Sequence, residues 1–304
     1  MVDVTEQLRD RWQSSVRCLV DEICSSISTI TVIDSECQQA LDTQSQIWLE
    51  KVAKLHAEPH RAYHNFNHVQ EVIASLEFLI HGVDSTIGVS TKIIEAILMQ
   101  AAFFHDVVYN PRSSTNEKDS ADTFIQFVSE LRNTISSSEQ QRGNNTSGVD
   151  NNDEFMHEHI RQCEIVAQIE ECIIATATHI SSAETAHKNQ NSTLATFLDA
   201  DMSILGKNAG IYDKYAVCIR KEYEFVERKM YCDKRADILE SFLPLVQNEV
   251  DTNQIVTAAA TPAKKHSFIY ATEKARKQWE EQARKNLKNE IGLLRSGAIP
   301  CELV

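Results

Sequence analysis

The chain has 304 residues, which is enough for one sizeable hydrophobic core, and its 8 glycines and 5 prolines are few for that length. This scarcity of turn residues argues against a turn-rich β-sandwich and favours long helices. The formal net charge of −14 argues against binding to a nucleic-acid polymer or to an anionic membrane surface, although a local pocket can still be positive.

The sequence carries no sign of secretion or of a membrane span. No stretch approaches the ~20 consecutive apolar residues that a span needs, and the segment Met1–Glu6 lacks the basic and then apolar pattern of a signal peptide. The 8 cysteines are scattered without a Cys-x-x-Cys pair, which is typical of reduced, buried thiols. We therefore expect a cytoplasmic protein, and a homo-oligomer stays among the alternatives.

Apolar residues recur at helical spacing in the first part of the chain. Residues 1–45 predict an N-terminal helical extension, which either mediates dimerisation or packs against the rest of the protein. Pro59 interrupts the helical pattern, and a polar turn over residues 61–68 follows. The next helix presents Val69, Val72 and Leu76 on one face and ends near Gly82.

The middle of the chain contains its most apolar segment. Residues 93–108 are apolar nearly all round, which predicts a buried central helix ending at Pro111. A further helix starts at Asn116 and extends to Val128. A low-complexity segment at about 133–158 predicts a loop insertion within one domain, since the flanking helices are too short to form separate cores.

Helical spacing returns after the insertion. Residues 160–180 predict one helix with His179 at its C-terminal end, and residues 194–205 carry a pair of aspartates. The region from 212 to about 242 is helical and highly charged, and residues 267–294 form an amphipathic helix with a basic bias. The sequence shows no convincing strand and no internal repeat, so the predicted fold class is all-α.

Four histidine and aspartate side chains form a candidate metal site. His105 and Asp106 end the apolar run, and an imidazole beside a carboxylate at the end of a buried helix is costly unless something pairs with them. A divalent metal would pair with both. His68 lies upstream and Asp201 downstream, and a ligand set of nitrogen and oxygen without thiolate suits Mn, Fe, Mg or Co.

Four motifs surround these residues. They read Arg61-Ala62-Tyr63-His64-Asn65-Phe66-Asn67-His68, Phe104-His105-Asp106-Val107-Val108-Tyr109-Asn110-Pro111, Asn116-Glu117-Lys118-Asp119-Ser120-Ala121 and Asp199-Ala200-Asp201-Met202-Ser203-Ile204-Leu205-Gly206. In this order they resemble the HD superfamily of metal-dependent phosphohydrolases, and more narrowly a predicted group with the motifs RxYHNxxH, FHDxxYxP, NExxSA and DxDxxILG. The resemblance covers roughly residues 55–293.

The resemblance implies a fold and a ligand set. The fold is an all-α HD-domain helical bundle around a central His-Asp helix, a single domain over residues 46–295. The implied ligands of one divalent ion are His68, His105, Asp106 and Asp201, and a second ion stays open. The resemblance favours Asp201 over Asp199 as the ligand, with Asp199 orienting a ligand histidine or capping the helix.

Three residues are candidates for catalytic roles. Glu117 could orient or deprotonate a water, but an acid in the first turn of a helix is equally explained by the helix dipole. His64 precedes His68 by four residues and could donate to the ligand set, contact phosphate or bind a second metal. His179 is a candidate for the same kinds of role. Alternatively, its cationic form could stabilise the C-terminus of its own helix.

A phosphate group of the substrate would need cationic or amide partners. Arg61 and Arg220 are the arginines that we favour, because guanidinium binds phosphate through two parallel hydrogen bonds, and Asn65 in the first motif is a third candidate. For each arginine the alternative is an ordinary surface ion pair.

The resemblance implies an enzyme that hydrolyses a phosphomonoester, phosphodiester or pyrophosphate in a small metabolite such as a nucleotide, by attack of a metal-activated water. An HD-type di-iron oxygenase is one alternative, in which His64 and His179 help to hold a second iron. A metal-containing module that binds a metabolite without turnover is the other. The predicted partner is therefore a small phosphorylated substrate, with no nucleic-acid polymer and no membrane.

Overall fold

The computed structural model describes residues 4–26, 33–81, 91–141, 160–243 and 268–299, and every regular element within them is helical. The α-helices are α1 Glu6–Ser26, α2 Ser35–Leu55, α3 Phe66–Ile80, α4 Thr91–Phe104, α5 Asn116–Gln141, α6 Glu164–Ala175, α7 His179–Lys188, α8 Ser192–Asp201, α9 Ala209–Glu222, α10 Arg228–Phe242 and α11 Glu281–Arg295. The all-α prediction is confirmed. Among these helices none is long and apolar enough to cross a membrane.

The described residues fall into two compact units. Unit 1 comprises residues 1–179 and 196–201, and unit 2 comprises residues 180–195 and 202–304. The predicted boundary between an N-terminal extension over 1–45 and an HD domain over 46–295 stays a prediction.

Helix α4 lies at the centre of unit 1, as its all-round apolar sequence predicts. It packs against α1, α3, α5 and α6, and every residue from 96 to 104 is buried. The helix ends at Phe104 rather than at Val108. The α-helical hydrogen bonding stops there, because the Val107 amide donates to the Phe104 carbonyl three residues back (3.1 Å), as in a 3₁₀ turn. His105 and Asp106 therefore lie in the turn that follows a buried helix.

Helix α1 contributes to the core of unit 1. The Trp12 side chain is fully buried, and its ring centre lies 5.0 Å from Phe103 and 5.3 Å from Phe127. Its indole Nε1–H donates to the Ser45 hydroxyl (2.8 Å) and approaches the Ser45 carbonyl (3.1 Å) on α2. Of the two roles predicted for the N-terminal helix, packing against the rest of the protein is the one seen in this unit.

Replacing Trp12 by alanine is therefore expected to lower the free energy of unfolding by about 3–5 kcal/mol, because a large buried side chain leaves a cavity. The exposed Ile47 on α2 provides the control. Ile47→Ala should change the free energy by no more than about 0.5 kcal/mol. Urea denaturation measures both, and a Trp12→Ala protein as stable as the Ile47→Ala control would show that α1 is not part of the core.

The predicted insertion begins later than the sequence suggests. Helix α5 continues to Gln141, so residues 133–141 are helical rather than part of a loop. Ile135 is buried, and the hydroxyls of Thr134 and Ser138 donate to carbonyls four residues back, which keeps these polar residues within the helix. Residues 142–159 of the predicted insertion lie outside the described residues.

The helix predicted over residues 160–180 is divided. Helix α6 ends at Ala175, a 3₁₀ turn covers Thr176–Thr178, and α7 begins at His179. The backbone N–H and the hydroxyl of Thr176 both donate to the Ile173 carbonyl, the hydroxyl at 2.8 Å, where α6 ends. His179 is therefore the first residue of a helix and not the last, so the alternative role as a partner for its own helix C-terminus is excluded.

Unit 2 shows how the end of the fourth motif and the residue after it are held. The Asn286 amide donates to the carbonyls of Leu205 and Lys207, both at 2.8 Å. Gly206 lies against Trp279, where an added Cβ would stand 2.3 Å from the Trp279 Cβ. The last residue of the DxDxxILG motif is thus glycine because its backbone lies directly against the π-helical segment Arg276–Glu280, which carries Trp279.

Candidate metal centre

Five side chains of unit 1 meet at one point. His68 lies in the first turn of α3, His105 and Asp106 follow the end of α4, Asp201 is the last residue of α8, and His179 is the first residue of α7. His68 and His105 are 3% and 1% exposed, whereas the carboxylates of Asp106 and Asp201 are 18% and 11% exposed. The histidines form the buried side of the site and the aspartates its accessible side.

The donor atoms approach one another closely. The two imidazole Nε2 atoms of His68 and His105 lie 3.0 Å apart. Asp106 Oδ2 is 3.1 Å from His105 Nε2 and 3.5 Å from His68 Nε2. Asp201 Oδ1 is 3.1 Å from His68 Nε2 and 3.5 Å from His105 Nε2. Nitrogen and oxygen atoms from four side chains therefore converge on one small volume.

These separations fit the coordination shell of a single ion. Ligand atoms about 2.1 Å from a metal stand about 3.0 Å apart at right angles and about 3.4 Å apart at the tetrahedral angle. The observed distances of 3.0–3.5 Å span that range. The group of His68, His105 and Asp201 could hold a metal ion, and Asp106 lies within the same distances. Nitrogen and oxygen donors without sulfur suit a hard or borderline divalent metal.

The orientation of the His105 ring supports this arrangement. Its Nδ1 lies 3.0 Å from the Ala102 carbonyl, which can only accept, so Nδ1 carries the proton. The lone pair of a neutral His105 is then on Nε2, which faces the other three donor atoms. His68 lacks such a support, because its buried Nδ1 has no hydrogen-bond partner among the described residues.

Both carboxylate oxygens of Asp201 make contacts within the site. Oδ1 faces the two histidines, and Oδ2 lies 2.7 Å from His179 Nε2. The structure thus places Asp201 in the metal-capable group, and that group does not include Asp199, which is 2% exposed. Asp201 is the last residue of α8, and the 3₁₀ turn Met202–Gly206 follows it directly. His179 orients the carboxylate from outside the ligand set.

The charges of the site are strongly coupled when no ion is present. Burial disfavours a charged His105, but the carboxylates of Asp106 and Asp201 outweigh it and hold the pKa of His105 well above its ordinary value of 6.5. Burial likewise raises the pKa of Asp201, but His105 and the other histidines lower it well below its ordinary value. Without an ion these shifts favour a protonated His105, and a metal ion would have to displace that proton.

Metal affinity is expected to rise with pH for this reason. An ion must displace the His105 proton, so the dissociation constant for Mn²⁺ should fall by about tenfold per pH unit for each proton released. In the metal-free protein the raised pKa of His105 stabilises the fold. This stabilisation is complete below pH 6.5, the ordinary pKa of histidine, and is lost as the pH rises through the pKa of His105 in the folded state. The increase in Tm on adding Mn²⁺ should accordingly be larger at pH 8 than at pH 6. Equal affinities at the two pH values would contradict the site.

Arg61 fixes the segment that carries Asp106. Its Nη1 donates to the carbonyls of His64 (3.1 Å) and Asp106 (2.6 Å), and its Nη2 donates to the Val107 carbonyl (3.0 Å). Its Nε and Nη2 also contact Glu58 Oε2, each at 3.0 Å. The side chain is fully buried, and all five of its N–H groups are used. The substrate-binding role predicted for Arg61 is not supported, because no donor is left for a phosphate.

Asn65 also has a structural task. Its side-chain oxygen accepts the Asn67 amide (2.9 Å) as the N-cap of α3, and its amide group donates to the Ala62 carbonyl (3.0 Å). The cap fixes where α3 begins, and hence where His68 lies. The predicted contact between Asn65 and substrate stays a prediction.

His64 belongs to a stack of rings beside the ligands. It lies parallel to Tyr109, with ring centres 4.3 Å apart, and 5.8 Å from the ring centre of His68. On the same tyrosine, His60 is stacked at 6.2 Å, and its Nε2 contacts the Tyr109 carbonyl (2.8 Å). Neither His60 nor Tyr109 was predicted from the sequence as part of the site. Tyr109 stands in the FHDxxYxP motif, which was the available signal, whereas His60 precedes the first motif.

The predicted roles of Glu117 and Arg220 stay predictions. Glu117 lies half-buried in the first turn of α5, and its side chain forms no hydrogen bond or ion pair with another described residue. Its catalytic role stays a prediction, and its position favours stabilisation by the helix dipole. Arg220 belongs to unit 2, where its Nη1 donates to the carbonyls of Tyr223 (2.8 Å) and Val226 (3.1 Å).

Comparison of the chain with protein-family models, with curated proteins and with solved structures finds no match. The geometry of the site and the four sequence motifs are therefore what a functional proposal has to rest on.

Proposed function

We propose that the protein is a metal-dependent phosphohydrolase acting on a small phosphorylated metabolite such as a nucleotide. The observation that carries the proposal is that Nε2 of His68 and Nε2 of His105 lie 3.0 Å apart in unit 1, and that each lies within 3.5 Å of an oxygen of Asp106 and of Asp201. The proposed ion is a single Mn, Fe, Mg or Co, and the reaction is hydrolysis of a phosphate ester or anhydride. When bound, such an ion would polarise a phosphoryl oxygen and make a water molecule more acidic.

The side chains around the ligands suit this reaction. Asp106 and Asp201 are the more exposed members of the set, so a substrate would approach from their side. His179 and His64 border that side, and an imidazole N–H can donate to a phosphate oxygen or pass a proton to a leaving group. Because the Arg61 guanidinium is fully occupied, these two histidines replace it as our candidates for phosphate contacts.

A panel of phosphomonoesters, phosphodiesters, pyrophosphates and nucleotides, each assayed with Mn²⁺, Mg²⁺, Co²⁺ and Fe²⁺, tests the proposal. We expect phosphate release from at least one member. His64→Gln should lower kcat by about 100-fold or more while metal binding stays intact, since an acid–base group is removed but no ligand. His81→Gln, at the exposed end of α3, is the control. A metal-loaded protein that hydrolyses no member of the panel would contradict the proposal.

A di-iron oxygenase is the second candidate. The observation in its favour is that two further histidines border the set, His179 at 2.7 Å from Asp201 Oδ2 and His64 at 5.8 Å between ring centres from His68. Both could help to hold a second ion. Two irons per chain with an oxygen-sensitive absorption band would favour the oxygenase, and one colourless divalent ion per chain would favour the hydrolase.

A further inference from the structure

A second cluster of buried polar groups lies in unit 2, where α9, α10 and α11 contribute to it. Glu290 on α11 is 3% exposed. One of its oxygens accepts the Tyr212 hydroxyl, and the other accepts the Arg235 Nε–H at 3.1 Å. The carboxylate is thus used on both oxygens, and it satisfies one donor on each of two neighbouring helices.

Other hydrogen-bond donors of the cluster have no acceptor among the described residues. Besides its bond to Glu290, Arg235 donates from Nη2 to the Tyr215 hydroxyl (3.2 Å), which leaves three of its five N–H groups without a partner among the described residues. The Tyr231 side chain is 5% exposed, and its buried hydroxyl has no hydrogen-bond partner among them either. Native proteins rarely leave a buried hydroxyl such as that of Tyr231 unpaired, so a bound partner is expected for it, and the remaining Arg235 N–H groups could donate to the same partner.

Arg220 adds a second guanidinium to the same place. Its guanidinium carbon lies 4.6 Å from the centre of the Tyr231 ring. Its Nη1 is held by two carbonyls, whereas its Nε and Nη2 have no partner within the described part of the chain. The charged groups acting on the Tyr231 hydroxyl include two arginines, Arg220 and Arg235, and one carboxylate, Glu290. Two of these three charged groups are cationic, and no described residue accepts a hydrogen bond from the Tyr231 hydroxyl.

We infer that Arg220, Tyr231 and Arg235 form a binding site for a tetrahedral oxyanion, either inorganic phosphate or the phosphate group of a monoester. Guanidinium groups bind phosphate through paired, charge-assisted hydrogen bonds. Donors from three side chains on two helices suit an anion that presents oxygens in several directions better than a planar carboxylate. The site uses none of the metal ligands of unit 1, so it stands apart from the proposed function.

Calorimetric titration of the full chain with inorganic phosphate, and separately with phenyl phosphate, at constant ionic strength tests the site. Tyr231→Phe and Arg220→Gln should each raise the dissociation constant by about tenfold or more, as expected for losing a hydrogen bond to a charged group. Arg228→Gln is the matched control, because Arg228 is an exposed arginine on the same helix as Tyr231 and donates to the Gly297 carbonyl. Its affinity should equal that of the wild type.

Two further measurements distinguish an anion site in unit 2 from phosphate binding at the metal centre and from a purely structural Tyr231 hydroxyl. His105→Ala should bind phosphate as the wild type does, because the metal centre is not involved. Without phosphate, Tyr231→Phe should be at least as stable as the wild type, since it removes a buried hydroxyl without a partner among the described residues. A hydroxyl with a purely structural role would predict a loss of stability.

Binding of phenyl phosphate alone would support the site and identify a monoester as its ligand. The inference would be overturned if neither compound bound saturably below about 10 mM. Unchanged affinity in both Tyr231→Phe and Arg220→Gln, or loss of phosphate binding in His105→Ala, would overturn it equally.

Discussion

Replacing His105 by alanine is expected to weaken Mn²⁺ binding by well over 100-fold. Loss of a group that only supports a ligand costs about 10–100-fold, and removal of a ligand should cost more. His105 Nε2 lies within 3.5 Å of His68 Nε2, Asp106 Oδ2 and Asp201 Oδ1. Competition against a fluorescent chelator at pH 7.5 measures the affinity.

The matched control is His81→Ala, because His81 is an exposed histidine that follows α3, the helix carrying His68. Its affinity for Mn²⁺ should equal that of the wild type. Circular dichroism of the His105→Ala protein shows whether the helices are retained, so that loss of the ligand is separated from loss of the fold. A folded His105→Ala protein with wild-type affinity would remove His105 from the ligand set.

Replacing Arg61 by methionine is expected to destabilise the protein by about 3–5 kcal/mol, because each buried acceptor left without a donor costs about 1–3 kcal/mol. The carbonyls of His64, Asp106 and Val107 would each lose a guanidinium donor. Since one of these carbonyls belongs to a proposed ligand, the affinity for Mn²⁺ should also fall, by about 10–100-fold. Urea denaturation and metal titration measure the two effects.

Arg161→Met is the control for this prediction. Arg161 also belongs to unit 1, but it is 33% exposed and pairs with Asp122 and Glu170 near the surface. Its loss should cost no more than about 1 kcal/mol and leave metal affinity unchanged. If Arg61→Met were as stable as Arg161→Met, the hydrogen bonds of Arg61 would not be what holds the Asp106 segment.

Local patterns in the sequence were sufficient to predict the central helix and the members of the metal-capable group. The apolar segment that becomes α4 is buried over residues 96–104, as its all-round hydrophobicity predicts. The motifs singled out His68, His105 and Asp201, which the structure brings together, and preferred Asp201 to Asp199. Both the buried helix and the metal-capable residues could be predicted because each depends on which type of residue stands at each position.

The structural roles of other motif residues depend on contacts with residues that are far away in the sequence. Arg61 was predicted to bind substrate because its chemistry suits phosphate, but it reaches carbonyls 45 and 46 residues away. Similarly, α5 extends past the polar start of the predicted insertion because Ile135 is buried. Residue type alone does not reveal such partners, since the N–H groups of an arginine can donate to carbonyls as well as to a phosphate.

Anomalous X-ray scattering from a crystal of the Mn²⁺-loaded protein tests most directly whether one divalent ion is held by four side chains, those of His68, His105, Asp106 and Asp201. We predict one strong anomalous peak per chain, roughly 2.0–2.3 Å from His68 Nε2, His105 Nε2 and a carboxylate oxygen of each aspartate. A peak coordinated by other residues, or no peak at these four side chains after loading, would contradict the proposed metal centre.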